Sequence, residues 1–208
     1  MLAIVVKKDN PVLLCKSAIR YNMASQGDNA TPQLKLSQFW HTTFDDIFQV
    51  FNPDEWTLEP TDKEMPSDWR KFRDKAKVKF LCDCNNSWTS MMGRIIFWYK
   101  KSDEKDNKKE LKTEEKGQKD EPKETNKYSL RFRLYGQQCK ICEDGTFINP
   151  LWYEDEVKRV LENVHKKIGK DFYDFPQEDS NNSKRHGRMR QSHDSRRCQA
   201  CQEGQCHS

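Results

Sequence analysis

No run in the sequence approaches the roughly 18 apolar residues that a membrane-crossing helix needs, so no such helix is expected among these 208 residues. The apolar start Met1–Val6 is cut by Lys7, Lys8 and Asp9, and the order of a secretory signal (basic, long apolar, small-residue cleavage site) is missing. The sequence also lacks a Gly-rich phosphate loop, a catalytic acid motif, and any of its five histidines in frame with a nucleophilic cysteine. These absences argue against an enzyme and against a small-molecule substrate. Apolar residues are scarce too, at 34%, with mean hydropathy −1.08. A core that small usually requires a staple.

Eight cysteines can supply it. Without a secretory signal the chain reads as intracellular and cytoplasmic, and paired cysteines in a reducing compartment point to metal rather than to disulfides. The net charge of +4 balances 37 basic against 33 acidic residues and does not by itself argue for nucleic acid.

Residues 1–37 carry no sustained periodicity and read as a disordered leader. From Phe39 the apolar residues Phe39, Trp40, Phe44, Ile47, Phe48 and Phe51 recur at spacings of three and four, predicting an amphipathic helix that ends near Asn52-Pro53. Lys77–Leu81 and Arg94–Tyr99 read as strands. Residues 101–127 hold nine lysines and nine acids with Leu111 the only large aliphatic side chain, which predicts a charged, disordered loop. Tyr128–Tyr135 alternates, with Tyr128, Leu130, Phe132 and Leu134 on one face, as in a half-buried antiparallel strand. Val157, Val160, Leu161, Val164 and Ile168 mark a helix over Glu154–Ile168, acidic where it opens and lysine-rich where it closes. The expected fold is α+β: a small zinc-ribbon-like antiparallel sheet with flanking helices and disordered termini. The folded domain is placed at 38–175, followed by a basic tail, 176–208, that carries its own Cys/His cluster.

Cys139-x2-Cys142 is a knuckle spacing, in which two thiolates bind one zinc while the backbone turns around it. Structural zinc takes four ligands, and Cys82 and Cys84 are the natural partners because the intervening strands can bring the pairs together. The same Cys-x2-Cys as a thioredoxin-type redox motif would open a helix. Here Pro150 intervenes before the next helix. A second four-ligand set reads His193, Cys198, Cys201 and Cys206, with His207 competing for the place of His193. Cys15, in the leader, is a bystander.

The segment Phe80-Leu81-Cys82-Asp83-Cys84-Asn85-Asn86-Ser87-Trp88, a strand, then Gly136-Gln137-Gln138-Cys139-Lys140-Ile141-Cys142 followed by Phe147 and Pro150, resembles the three-CxxC zinc-finger domain of the receptor-transporting proteins. The later helix and the stretch His193–Cys206 resemble the family's remaining elements, and the likeness runs over about Phe39–Cys206. Cys82-x-Cys84 is one residue shorter than the family's usual first pair, and the charged loop is long. The resemblance implies a zinc-dependent, chaperone-like accessory protein that binds seven-helix chemosensory receptors, odorant or taste, and promotes their delivery to the cell surface. With no apolar segment near Ser208, membrane association is expected through the receptor, at the periphery of the endoplasmic reticulum or plasma membrane. The alternative, from another class, is RNA binding by an antiviral effector. It draws on Lys184, Arg185, Arg188, Arg190, Arg196 and Arg197 beside the last cysteine cluster.

Overall fold

The computed structural model describes residues 32–102, 125–176 and 192–206, with side chains from residue 38. The leader to residue 31, most of the charged loop, the basic stretch 177–191 and His207 lie outside the described residues.

The apolar run Ile95-Ile96-Phe97-Trp98-Tyr99 organises the fold. Successive side chains of a strand point to opposite faces, so an unbroken apolar run calls for cover on both. It lies in β3 (Ser87–Lys101), flanked by β2 (Arg70–Leu81) and β4 (Lys127–Leu134), both antiparallel to it. With β1 (Glu55–Pro60) and the short β7 (Leu151–Trp152) they form a five-stranded sheet in the order β1-β4-β3-β2-β7. The expectation of an antiparallel sheet is met in β2, β3, β4 and β7, but the sheet is mixed. β1 runs parallel to β4, pairing Glu55 with Lys127 through Pro60 with Phe132. A small hairpin of β5 (Gln137–Gln138) and β6 (Phe147–Ile148) stands beside the sheet.

One face is covered by α1 (Pro32–Phe48) and α2 (Glu154–Phe172). α1 begins at Pro32, inside the stretch read as leader, and runs into a 3-10 turn at Gln49–Phe51. Its Trp40, Phe44 and Phe48, with Phe51 of the turn, are buried with Ile95, Phe97, Tyr99, Leu130 and Phe132. Trp40 stacks on Phe132 at 5.1 Å between centroids. The α2 stripe Val157, Val160, Leu161, Val164 and Ile168 has no solvent exposure, each side chain contributing about 1.5–3 kcal/mol relative to an exposed one. Both amphipathic stripes are thus consumed by the core.

The other face is covered from much further along the chain. Ile96, Trp98 and Tyr135 form a second buried cluster with Cys198, Ala200 and Cys206, and Met65 and Trp69 pack at its margin. Residues 192–206 therefore sit on the sheet, bringing the last cysteines onto the surface that β3 leaves apolar.

Candidate metal centres

The first centre is built from two turns. β2 and β3 are joined by Cys82–Asn86, where Asn85 adopts φ +64°, a left-handed conformation that asparagine tolerates better than most residues. Asn85 N–H donates to the Cys82 carbonyl, and Cys82 N–H to the Asn86 carbonyl, both at 2.9 Å. Opposite this turn, the chain leaving β5 turns back through Cys139–Cys142. The Ile141 N–H (3.4 Å) and the Asn86 side-chain amide (3.3 Å) both donate to Cys139 Sγ. Burial pushes the Cys139 thiol up, but backbone N–H donors from Cys142 and Ile141 and the Asn86 amide outweigh it, bringing it down to about 6. Hydrogen bonding to Cys82 and Cys84, with burial behind it, raises the Cys142 thiol.

Cys82 Sγ lies 3.4 Å from Cys142 Sγ, and Cys84 Sγ 3.8 Å from Cys139 Sγ. A tetrahedral zinc with Zn–S near 2.3 Å has sulfur–sulfur edges of about 3.8 Å. All four ligand atoms lie within 4.8 Å of one another. The shortened Cys-x-Cys spacing thus still brings both sulfurs to the opposing knuckle.

The second centre is assembled by a chain of caps. Asp194 accepts a hydrogen bond from Arg196 N–H at 3.1 Å, opening a 3-10 turn at Ser195–Arg197. Cys198 then precedes the single helical turn α3 (Gln199–Gln202). That turn ends in a Schellman arrangement: Gly204, at φ +67°, donates to the Cys201 carbonyl, and Gln205 N–H to the Ala200 carbonyl at 2.7 Å. The reversal returns Cys206 toward His193. His193 Nε2 is 3.2 Å from Cys201 Sγ and 3.7 Å from Cys206 Sγ, and with Cys198 these atoms again lie within 4.8 Å of one another. Burial pushes the Cys201 thiol up to about 12, with the sulfurs of Cys206 and Cys198 adding to it. A bound cation reverses that tendency, since metal-bound thiols ionise outright.

All eight residues picked out from the sequence therefore gather into two groups of four, each able to hold a metal ion. The link between the groups was not visible in the sequence. Gln137, two residues before Cys139, forms a β-bridge with Cys198. Its side chain accepts from Trp88 Nε1 at 3.0 Å and donates to Ser90 Oγ at 3.1 Å. Gly136 and Gln199 exchange hydrogen bonds: Gln199 N–H to the Gly136 carbonyl, and Gly136 N–H to Gln199 Oε1. A Cβ on Gly136 would lie 2.7 Å from the Ile148 carbonyl, so this junction requires glycine.

The model of the three-CxxC zinc-ribbon family, described as a zinc-binding domain, matches residues 75–204. The chain belongs to this zinc-binding family. The match spans both metal-capable groups except Cys206. Among curated proteins the chain is 26% identical to Receptor-transporting protein 3 of Mus musculus over 175 residues, covering 80% of this chain and 33% of the relative. It is 25% identical to Receptor-transporting protein 4 of Homo sapiens over 185 residues, covering 80% of this chain and 63% of that relative. Receptor-transporting protein 4 of Mus musculus is 27% identical over 173 residues, covering 78% and 61%. The chain thus spans between a third and somewhat under two thirds of the curated relatives it matches. No solved structure matches it.

Proposed function

We propose that this protein is a non-enzymatic zinc-loaded adaptor that binds seven-helix membrane receptors, of odorant or taste type, and promotes their delivery to the cell surface. Cys82, Cys84, Cys139 and Cys142 hold one zinc, and His193, Cys198, Cys201 and Cys206 hold a second. The observation that carries the reading is the pair of four-ligand groups on one sheet, in a chain aligned over about four fifths of its length with proteins named for receptor transport. The zinc ions act structurally: four thiolates in one site, and three thiolates with the His193 imidazole in the other, fill each coordination shell and leave no position for substrate. Residues 38–175 form the receptor-facing domain, with residues 192–206 its zinc-bound second layer. Among the described residues no helix is long and apolar enough to cross a membrane, and the adaptor meets the membrane from the cytoplasmic side through its receptor.

The test is surface labelling of a poorly exported seven-helix receptor co-expressed with wild type, with Cys142→Ser, or with empty vector. Wild type should raise surface receptor without raising its synthesis, and Cys142→Ser should raise it less. Equal surface receptor in all three would defeat the reading.

A second reading, RNA binding, is favoured by one observation. Arg73, Lys75, Lys77 and Lys79 alternate along β2 and are all exposed, a cationic row on one strand. Such a row also blunts a sheet edge against unwanted pairing. RNA affinity that falls steeply with salt and is lost when the row is changed to glutamine would move RNA to first place.

A further inference from the structure

The two centres are not equivalent in exposure. In the first, Cys84 and Cys142 are exposed while Cys82 and Cys139 are buried. Its approaches are open: Leu81 and Ile141, each next to a cysteine of the group, are 54% and 62% exposed. In the second, Cys198 and Cys206 are buried against Ile96, Trp98 and Tyr135, and Cys201 is half-buried, so no cysteine of this group is as open as Cys84 or Cys142. The buried Arg94 guanidinium donates to the Cys206 carbonyl, adding a hydrogen bond from the sheet. In the first centre the sulfurs also meet across two separate turns. Each exposed sulfur faces a buried sulfur of the opposite turn, Cys142 to Cys82 at 3.4 Å and Cys84 to Cys139 at 3.8 Å.

We propose that the first centre is an oxidation site for hydroperoxides, at which disulfides form across the two turns and zinc is released while the second centre keeps its metal. The exposed Cys142 sulfur attacks the peroxide oxygen; the O–O bond breaks, Cys142 becomes a sulfenic acid, and hydroxide (or alkoxide) leaves. The Cys82 thiolate then displaces the sulfenic oxygen, forming the S–S bond and releasing a second hydroxide, and two protons from solvent convert the leaving groups to water or to water and alcohol. Two electrons pass from the two thiolates to one peroxide. Zinc, deprived of two ligands, departs, and Cys84 with Cys139 repeats the step with a second peroxide. The turns 82–86 and 139–142 remain tied, now by sulfur, so the sheet beneath keeps its register. A dithiol reductant with zinc reverses the change.

The inference rests on the zinc assignment above, so zinc is counted first. The full-length protein, loaded and freed of excess metal, should contain two zinc ions by elemental analysis. Fewer than two defeats that assignment, and the inference with it. Hydrogen peroxide is then titrated in, with released zinc read by a chromogenic chelator and cysteine states mapped by differential alkylation and mass spectrometry. The expected result is loss of one of the two zinc ions, with Cys82–Cys142 and Cys84–Cys139 linkages appearing while Cys198, Cys201 and Cys206 stay reduced. Parallel loss of both ions, earlier oxidation of the second group, or a first group still reduced once zinc has left the second would each overturn the order while leaving the zinc assignment standing.

Discussion

Arg94, buried in the middle of the central strand, donates from its guanidinium to the backbone carbonyl of Cys206. It also donates to the Asp74 carbonyl at 3.4 Å. A buried cation is costly unless hydrogen-bonded, and this one spends its bonds joining β2 and β3 to the second metal centre. Arg94→Met keeps much of the bulk and removes the donors. It should cost about 1–3 kcal/mol and speed chelator-driven zinc loss from the second centre. Thermal melting and stopped-flow chelation check both, and an unchanged zinc off-rate would show that the bond plays no part in holding the centre.

Removing metal should unfold more than the turns. Because the second centre covers Ile96 and Trp98, Cys198→Ser should open residues 95–98 to amide hydrogen exchange. Cys142→Ser should raise exchange mainly around residues 82–86 and 139–142. Stripping both zinc ions should abolish a cooperative melt, as is usual where ligation is coupled to folding. A metal-free chain melting as sharply as the loaded one would rule out a structural role for zinc.

Gly93 sits where a Cβ would lie 2.5 and 2.7 Å from the Val78 methyls, and Val78 is fully buried. Gly93→Ala should therefore destabilise by about 1–3 kcal/mol through overpacking. The paired change Gly93→Ala with Val78→Ala should recover part of that loss, and denaturant titrations of the three variants measure it. Additive losses would show that the two sites do not compete for space.

His165 lies among the rings of Phe48, Phe51 and Phe175, its Nε2 buried without a hydrogen-bond partner. Burial lowers its pKa below 6.5, with Glu162 acting against the shift and Lys166 with it. The folded state thus takes up the proton less readily than the unfolded chain. Its contribution is fully present above about pH 6.5 and is lost as pH falls through the lowered folded value. His165→Leu should flatten the decline in stability below pH 6.5. Since zinc ligation also weakens in acid, the comparison is the difference between the two proteins' curves at equal zinc content. Superimposable curves would assign the acid sensitivity elsewhere.

Much of this was legible in the residues. The strict alternation of Tyr128 to Leu134 predicts the buried face of β4, and the five aliphatic residues of Glu154–Ile168 predict the buried stripe of α2. The cysteine spacings mark the two candidate groups of four, which the structure gathers. Two relationships were hidden because they join distant segments without a local signature. Nothing in Glu55–Pro60 announces a parallel partner at Lys127–Phe132, since pairing direction is set by the whole sheet. Nothing in Gln199–Cys206, mostly polar, announces that it caps an apolar face. The clue lay elsewhere, in the unbroken Ile95–Tyr99 run, which demands cover on both sides without saying what supplies it.

That two-sided strand has a consequence during synthesis. About a hundred positions separate Trp98 from Cys198, and a ribosome adding roughly 5–20 residues per second needs about 5–20 s to make them. For that interval the core beneath α1 can begin to form, and Tyr135, Met65 and Trp69 can reach Ile96 and Trp98, but the cover that Cys198, Ala200 and Cys206 supply is missing. The nascent chain therefore carries a half-covered apolar sheet face until residues 198–206 emerge, a surface open to association in the meantime.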